Sequence, residues 1–93
     1  MKIYNLVQES SIDGEVFVNS TPCATREIAR RLLNEEKEYL LHSGETHYSK
    51  FAEDENFDEY FEVEETEDTF YIDDLTDDYY EDLWIVEKDL VEE

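Results

Sequence analysis

The chain has 93 residues and a formal net charge of -21, with 28 acidic side chains against 7 Lys and Arg. A charge of that sign repels nucleic acid and anionic membranes, so both are excluded as direct partners, and a basic protein or cations are what it attracts. There is no apolar run of the length a membrane helix needs, and one cysteine, Cys23, cannot form an internal disulfide and fits a reducing cytoplasm.

The charge is unevenly placed. Residues 51–93 hold 20 Asp and Glu against the single cation Lys88, a net of -19, while residues 1–50 hold 8 acids and 6 cations, a net of -2. The acidic half also carries most of the aromatics, among them Phe57, Tyr60, Phe61, Phe70, Tyr71, Tyr79, Tyr80 and Trp84. A solvated acidic tail has nothing to bury and is poor in such residues. The second half therefore reads as a folded acidic surface, and residues 1–93 as a single domain.

In chain order, Ile3–Gln8 alternates as a strand does, with Ile3, Asn5 and Val7 on one side and Tyr4, Leu6 and Gln8 on the other. Asp13-Gly14 separates it from Glu15–Asn19, and Asp-Gly between apolar runs predicts a hairpin because both turn positions need positive φ. Thr21-Pro22 is expected to break this second strand. Thr25 is placed to cap a helix from Arg26 to about His42, whose apolar residues Ile28, Ala29, Leu32, Leu33, Tyr39 and Leu40 recur at three and four positions. Its cations Arg26, Arg30, Arg31 and Lys37 lie off that stripe and are expected to face water. Gly44 is suited to the left-handed conformation that ends a helix.

Glu45–Asp58 lacks a period and predicts a long loop with one short helical turn, pinned by Phe51 and Phe57. Tyr60–Glu65 and Thr69–Asp73 form a second hairpin about Glu67-Asp68, with Phe61, Val63, Phe70 and Ile72 on one face and Glu62, Glu64, Tyr71 and Asp73 on the other. Leu83–Lys88 is read as a final strand for its Trp-Ile-Val trio, against the helical spacing of Tyr79, Leu83, Val86 and Leu90 behind an Asp-rich start. The expected fold is α+β, an antiparallel sheet of about five strands in the order ββαβββ with one amphipathic helix on one face.

No triad, P-loop or Gly-rich phosphate cradle is present, so no catalytic residue is assigned and no enzyme is expected. The run Asp73-Asp74-Leu75-Thr76-Asp77-Asp78 fails the calcium-loop pattern, with Leu75 at a ligand position and no following glycine. His42, His47 and Cys23 match no zinc spacing. His42 reads as a helix-end residue and His47 as a loop side chain, so no metal or cofactor is expected.

What remains is the acidic face. Alternate residues on a strand stand about 7 Å apart, a separation on the scale of neighbouring phosphates. Glu62, Glu64, Asp73, Asp74, Asp77, Asp78, Glu81 and Asp82 would supply the charge, and Tyr71, Tyr79 and Tyr80 apolar anchors among them. The text FEVEETEDTFYIDDLTDDYYEDLW looks like the small acidic phage and mobile-element proteins that mimic nucleic acid to block restriction, CRISPR or other host enzymes. The opening MKIYNLVQESSIDGEVFV and PCATREIARRLL likewise resemble small proteins of bacterial mobile elements. The resemblance implies a cytoplasmic, non-enzymatic inhibitor of a basic nucleic-acid-binding protein or nuclease. Two other readings stand beside it: a small acidic interaction or scaffold domain, dimeric through an edge strand, and a divalent-cation binder.

Overall fold

The computed structural model describes residues 1–51 and 53–89. Five strands, β1 (Lys2–Ile12), β2 (Glu15–Cys23), β3 (Phe61–Glu65), β4 (Thr69–Asp74) and β5 (Tyr80–Asp89), accompany the helix α1 (Arg26–His42) and the single turn α2 (Phe57–Tyr60). The strands form one sheet in the order β2-β1-β5-β4-β3, with antiparallel neighbours throughout. The α+β class and the ββαβββ order are as the sequence predicts.

The first hairpin closes as Asp13-Gly14 requires: φ is 54° at Asp13 and 86° at Gly14, and Ile12 lies opposite Glu15. The strand after it does not stop at Thr21-Pro22. In a hairpin with a two-residue turn, the residues flanking the turn exchange both backbone bonds, and every second residue beyond them turns its backbone groups outward. That register puts Phe17, Asn19, Thr21 and Cys23 toward β1 and Val16, Val18, Ser20 and Pro22 away from it. Pro22 thus lacks an N–H only on the open edge, where a strand tolerates proline.

The side chain of Thr25 accepts from the Ile28 N–H at 3.2 Å, capping α1. Gly44, at φ +76°, takes the left-handed conformation just past the helix end. Ala29, Leu33 and Leu40 are buried against the sheet, Ile28 and Leu32 partly so, whereas Tyr39 stays 47% exposed at the side of the expected stripe. Opposite them Leu6, Phe61, Phe70, Ile72 and Leu83 complete the core with Tyr48. Phe57 packs on this cluster, but Phe51 remains at its rim, exposed, with its ring 5.8 Å from that of Phe61.

β5 lies between β1 and β4 and starts at Tyr80, earlier than Leu83. Two flanking strands can satisfy its backbone groups, and alternation then buries Glu81 and Leu83 on the helix side. The rival helical spacing gains no comparable ladder; its last member, Leu90, lies outside the described residues.

Phe70, Ile72 and Leu83 are fully buried, and each such side chain contributes about 1.5–3 kcal/mol. Leu83→Ala should cost about 2–5 kcal/mol in urea unfolding, whereas Thr25→Ala, which removes only the cap, should cost about 1 kcal/mol.

Candidate protein-binding face

Helix α1 covers one side of the sheet, and alternation assigns the other side residue by residue. Leu6, Phe70, Ile72 and Leu83 point into the core, so their strand neighbours Val7, Tyr71, Asp73, Asp82 and Trp84 point the opposite way. Cross-strand pairing then assembles the uncovered face. Glu62 is opposite Asp73, Glu64 opposite Tyr71, Tyr71 opposite Asp82 and Asp82 opposite Glu9. Five carboxylates, from Glu9, Asp82, Asp73, Glu62 and Glu64, thus span four adjacent strands. Among the described residues, Lys88 alone brings a cation to this side by alternation, at the other end of β5 opposite Ile3.

The aromatics on this face hold and shield the acids. Tyr80 Oη donates to Glu9 Oε2 at 2.8 Å, and the Tyr71 and Tyr80 rings lie 6.4 Å apart. Partial burial and the neighbouring Glu9 charge push the Asp82 carboxyl above the usual carboxylate range. Tyr71 is raised by burial and then by Asp73, and Tyr80 by its hydrogen bond to Glu9. These shifts follow from negative charge crowded on a half-desolvated surface. Glu9 was reachable from sequence, since it continues the Ile3, Asn5, Val7 alternation by one step beyond the predicted strand.

The face has a second zone. Toward the β2 edge it carries apolar side chains, Val16 and Val18 on β2, Val7 on β1, Trp84 and Val86 on β5, among the polar Asn5, Ser11 and Ser20. The two zones meet at Glu9, which lies between Asp82 on β5 and Val18 on β2.

Of the eleven predicted contact residues, Glu62, Glu64, Tyr71, Asp73, Tyr80 and Asp82 lie together here. Asp77 and Asp78 are exposed in the turn after β4, whose Asp78 carbonyl accepts from the Gly14 N–H and the Ser11 hydroxyl, both at 3.2 Å. Asp74, Tyr79 and Glu81 lie elsewhere. Asp74 and Glu81 are on the helix side of β4 and β5 by alternation and are buried, 6% and 7% exposed. Asp74 Oδ2 sits 2.6 Å from His47 Nε2, and Tyr79 stacks on the His47 ring at 4.1 Å. His47 is therefore a packing partner within the fold and more than a loop side chain. Burial alone would raise the Asp74 carboxyl, but hydrogen bonds from His47 and from the N–H and hydroxyl of Thr76 hold it below its ordinary value.

The acids are not confined to one side: Glu53, Asp54, Glu55, Asp58 and Glu59 lie exposed in or beside the loop before β3. The helix cations pair instead with acids at the turn of the second hairpin. Arg26 and Arg30 both reach Asp68, at 2.5 and 2.6 Å, Arg30 also pairs with Glu67 at 3.2 Å, and Lys37 with Glu65 at 2.5 Å. The hydrogen bond and charge of Arg30, with Arg26 beside it, hold the Asp68 carboxyl low. This corrects the expectation that the helix cations face water. The second hairpin brings its turn acids over the flank of α1, and of the four only Arg31 is exposed, the others being partly buried.

Cys23 is buried, with Sγ 3.6 Å from the Thr21 carbonyl. Among the described residues no group of three His, Cys, Asp or Glu side chains is arranged to hold a metal ion, and no helix is long and apolar enough to cross a membrane. Comparison with protein-family models, curated proteins and solved structures finds no match.

Glu81 gives a test of the buried side. It accepts from Ser10 Oγ and Gln8 Nε2, yet burial dominates and raises its carboxyl. A carboxylate with a raised folded-state value loses stability as pH climbs through the interval above its unfolded value. Glu81→Gln should therefore stabilise the fold at pH 7, and the gain should disappear below about pH 4, as read from urea midpoints across pH.

Proposed function

We propose that this protein is a non-enzymatic binding protein, an acidic mimic of nucleic acid that occupies the binding groove of a basic, nucleic-acid-binding host protein and so inhibits or modulates it in the cytoplasm. The observation that carries the reading is the array of Glu9, Asp82, Asp73, Glu62 and Glu64 across the uncovered face of a sheet whose other face is packed.

Three physical features support it. The backbone of the array is fixed by strand pairing and by the core residues Leu6, Phe61, Phe70, Ile72 and Leu83 on the same four strands, so binding has only side-chain χ freedom to restrict. Its spacings, about 7 Å along a strand and about 4.8 Å between strands, are close enough for the charges to act together on an approaching polycation. Arg26, Arg30 and Lys37 are held on the helix side by Glu65, Glu67 and Asp68, away from the acidic sheet face. A groove lined with Lys and Arg would release its own counterions and be steered onto such a surface as it is onto phosphates. Tyr71 and Tyr80, half-buried among the acids, add apolar contact that charge alone lacks.

A second reading, a small acidic interaction domain that recognises its partner through apolar contacts, is favoured by the zone of Val7, Val16, Val18 and Trp84. Salt separates the two, since screening weakens charge recognition and leaves apolar association intact.

Pull-down from bacterial lysate with the intact chain should retain nucleic-acid-binding proteins at low salt, release them at high salt and release them to added duplex DNA. The triple variant Glu62→Gln, Glu64→Gln, Asp73→Asn should keep its fold by circular dichroism and lose about tenfold or more in affinity for the recovered partner. Retention of full affinity by that variant, or a complex indifferent to salt and DNA, would overturn the mimic reading.

A further inference from the structure

The edge of the sheet opposite the acidic hairpin is unprotected. Ile12, Val16, Phe17 and Val18 are 51%, 55%, 48% and 60% exposed, all on the first hairpin. β2 is the edge strand, and eight of its nine residues are exposed. The hairpin register directs the N–H and C=O of Val16, Val18 and Ser20 outward, and among the described residues no strand pairs with them. Edge strands are ordinarily blunted by Lys, by inward charges or by a covering element. Among the described residues β2 has none of these, and Pro22, near its end, is the one block on it.

We propose that β2 is a self-association edge, on which a second copy of this chain pairs antiparallel to make a two-fold dimer with a continuous ten-stranded sheet. Charge selects the occupant. The other edge, β3, holds Glu62, Glu64 and Glu65 within five residues, whereas β2 holds only Glu15 in nine. For a molecule carrying -21, β2 is thus the edge where a second copy meets least repulsion. With Glu15 at its start and Glu9 beside Val18 on β1, it offers a basic partner fewer acids than the β3 edge does.

The geometry selects a register. Centring the two-fold on Val18 places Val18 opposite its counterpart, Val16 opposite Ser20 and Phe17 opposite Asn19. All outward groups of Val16, Val18 and Ser20 are then used, and Pro22 falls at the end of the ladder. Glu15 meets Thr21 and never the second Glu15. The exposed apolar residues of the two first hairpins then meet at the axis, and Glu9, beside Val18 on β1, is the member of each acidic array nearest to it, the other four lying on β5, β4 and β3.

This inference does not rest on the mimic reading and has the opposite salt response. Screening removes repulsion between two copies, so the dimer should tighten with salt where a basic partner would be lost. Sedimentation equilibrium of the intact chain, from micromolar to millimolar concentration and at about 0.01 M and about 1 M salt, should show a monomer–dimer equilibrium shifted to dimer at high salt. Val18→Pro removes an N–H that faces away from β1, so the fold should persist by circular dichroism while dimerisation weakens about tenfold or more through the lost bonds across the axis. Val18→Lys, which sets two cations face to face, should weaken it as well. A wild-type chain that stays monomeric throughout would overturn the proposal. A dimer unaffected by both substitutions would do the same, because it would place the interface elsewhere.

Discussion

Period-two alternation on a sheet covered on one side only is the constraint from which the other features of this molecule follow. With a single helix available, every second residue of β1, β4 and β5 must be apolar or hydrogen-bonded inside, and the remaining residues are free to be charged. Leu6, Phe70, Ile72 and Leu83 satisfy the first requirement; Glu9, Tyr71, Asp73 and Asp82 use the second. An acidic residue placed one step out of phase is costly. Glu81 shows how that cost is met, by the Ser10 hydroxyl and the Gln8 amide, with burial still raising its carboxyl.

The same constraint explains where the cations go. A helix lying across a sheet presents its flanks to the turns, and α1 sets Arg26, Arg30 and Lys37 against Glu65, Glu67 and Asp68. These pairs are partly exposed and individually modest. Their larger consequence is distribution: they place three cations against the turn acids of the second hairpin, away from the uncovered face of the sheet. The Tyr4 ring, 5.1 Å beneath the Arg26 guanidinium, extends the arrangement to β1.

Local signals in the sequence were enough for the elements. Asp13-Gly14, Thr25, Gly44 and the alternation of Phe61–Glu65 against Thr69–Asp74 each carry their own physical reason, and the structure places a turn, a cap, a helix end and a hairpin at those positions. What depended on neighbours in space was not readable. Pro22 is tolerated only because β2 is an edge, which strand order decides. Asp74, Tyr79 and Glu81 look like their acidic and aromatic neighbours in the text, and only the phase of β4 and β5, together with the His47 loop folding over them, turns them inward. The apolar zone of Val7, Val16, Val18 and Trp84 likewise joins the first hairpin to β5, which is distant from it in sequence.

The central claim is that the carboxylates of the uncovered face are held close enough to behave as one charged surface. Glu62 and Asp73 stand directly opposite each other on β3 and β4, so a double-mutant cycle on that pair is the most direct measurement. Stabilities of the wild type, Glu62→Gln, Asp73→Asn and the double variant, compared at low and high ionic strength, should give an unfavourable coupling of about 0.2–1 kcal/mol that shrinks as salt is added. A coupling of zero at low salt would mean that the two groups do not sense each other, and the account of a fixed polyanionic face would be contradicted.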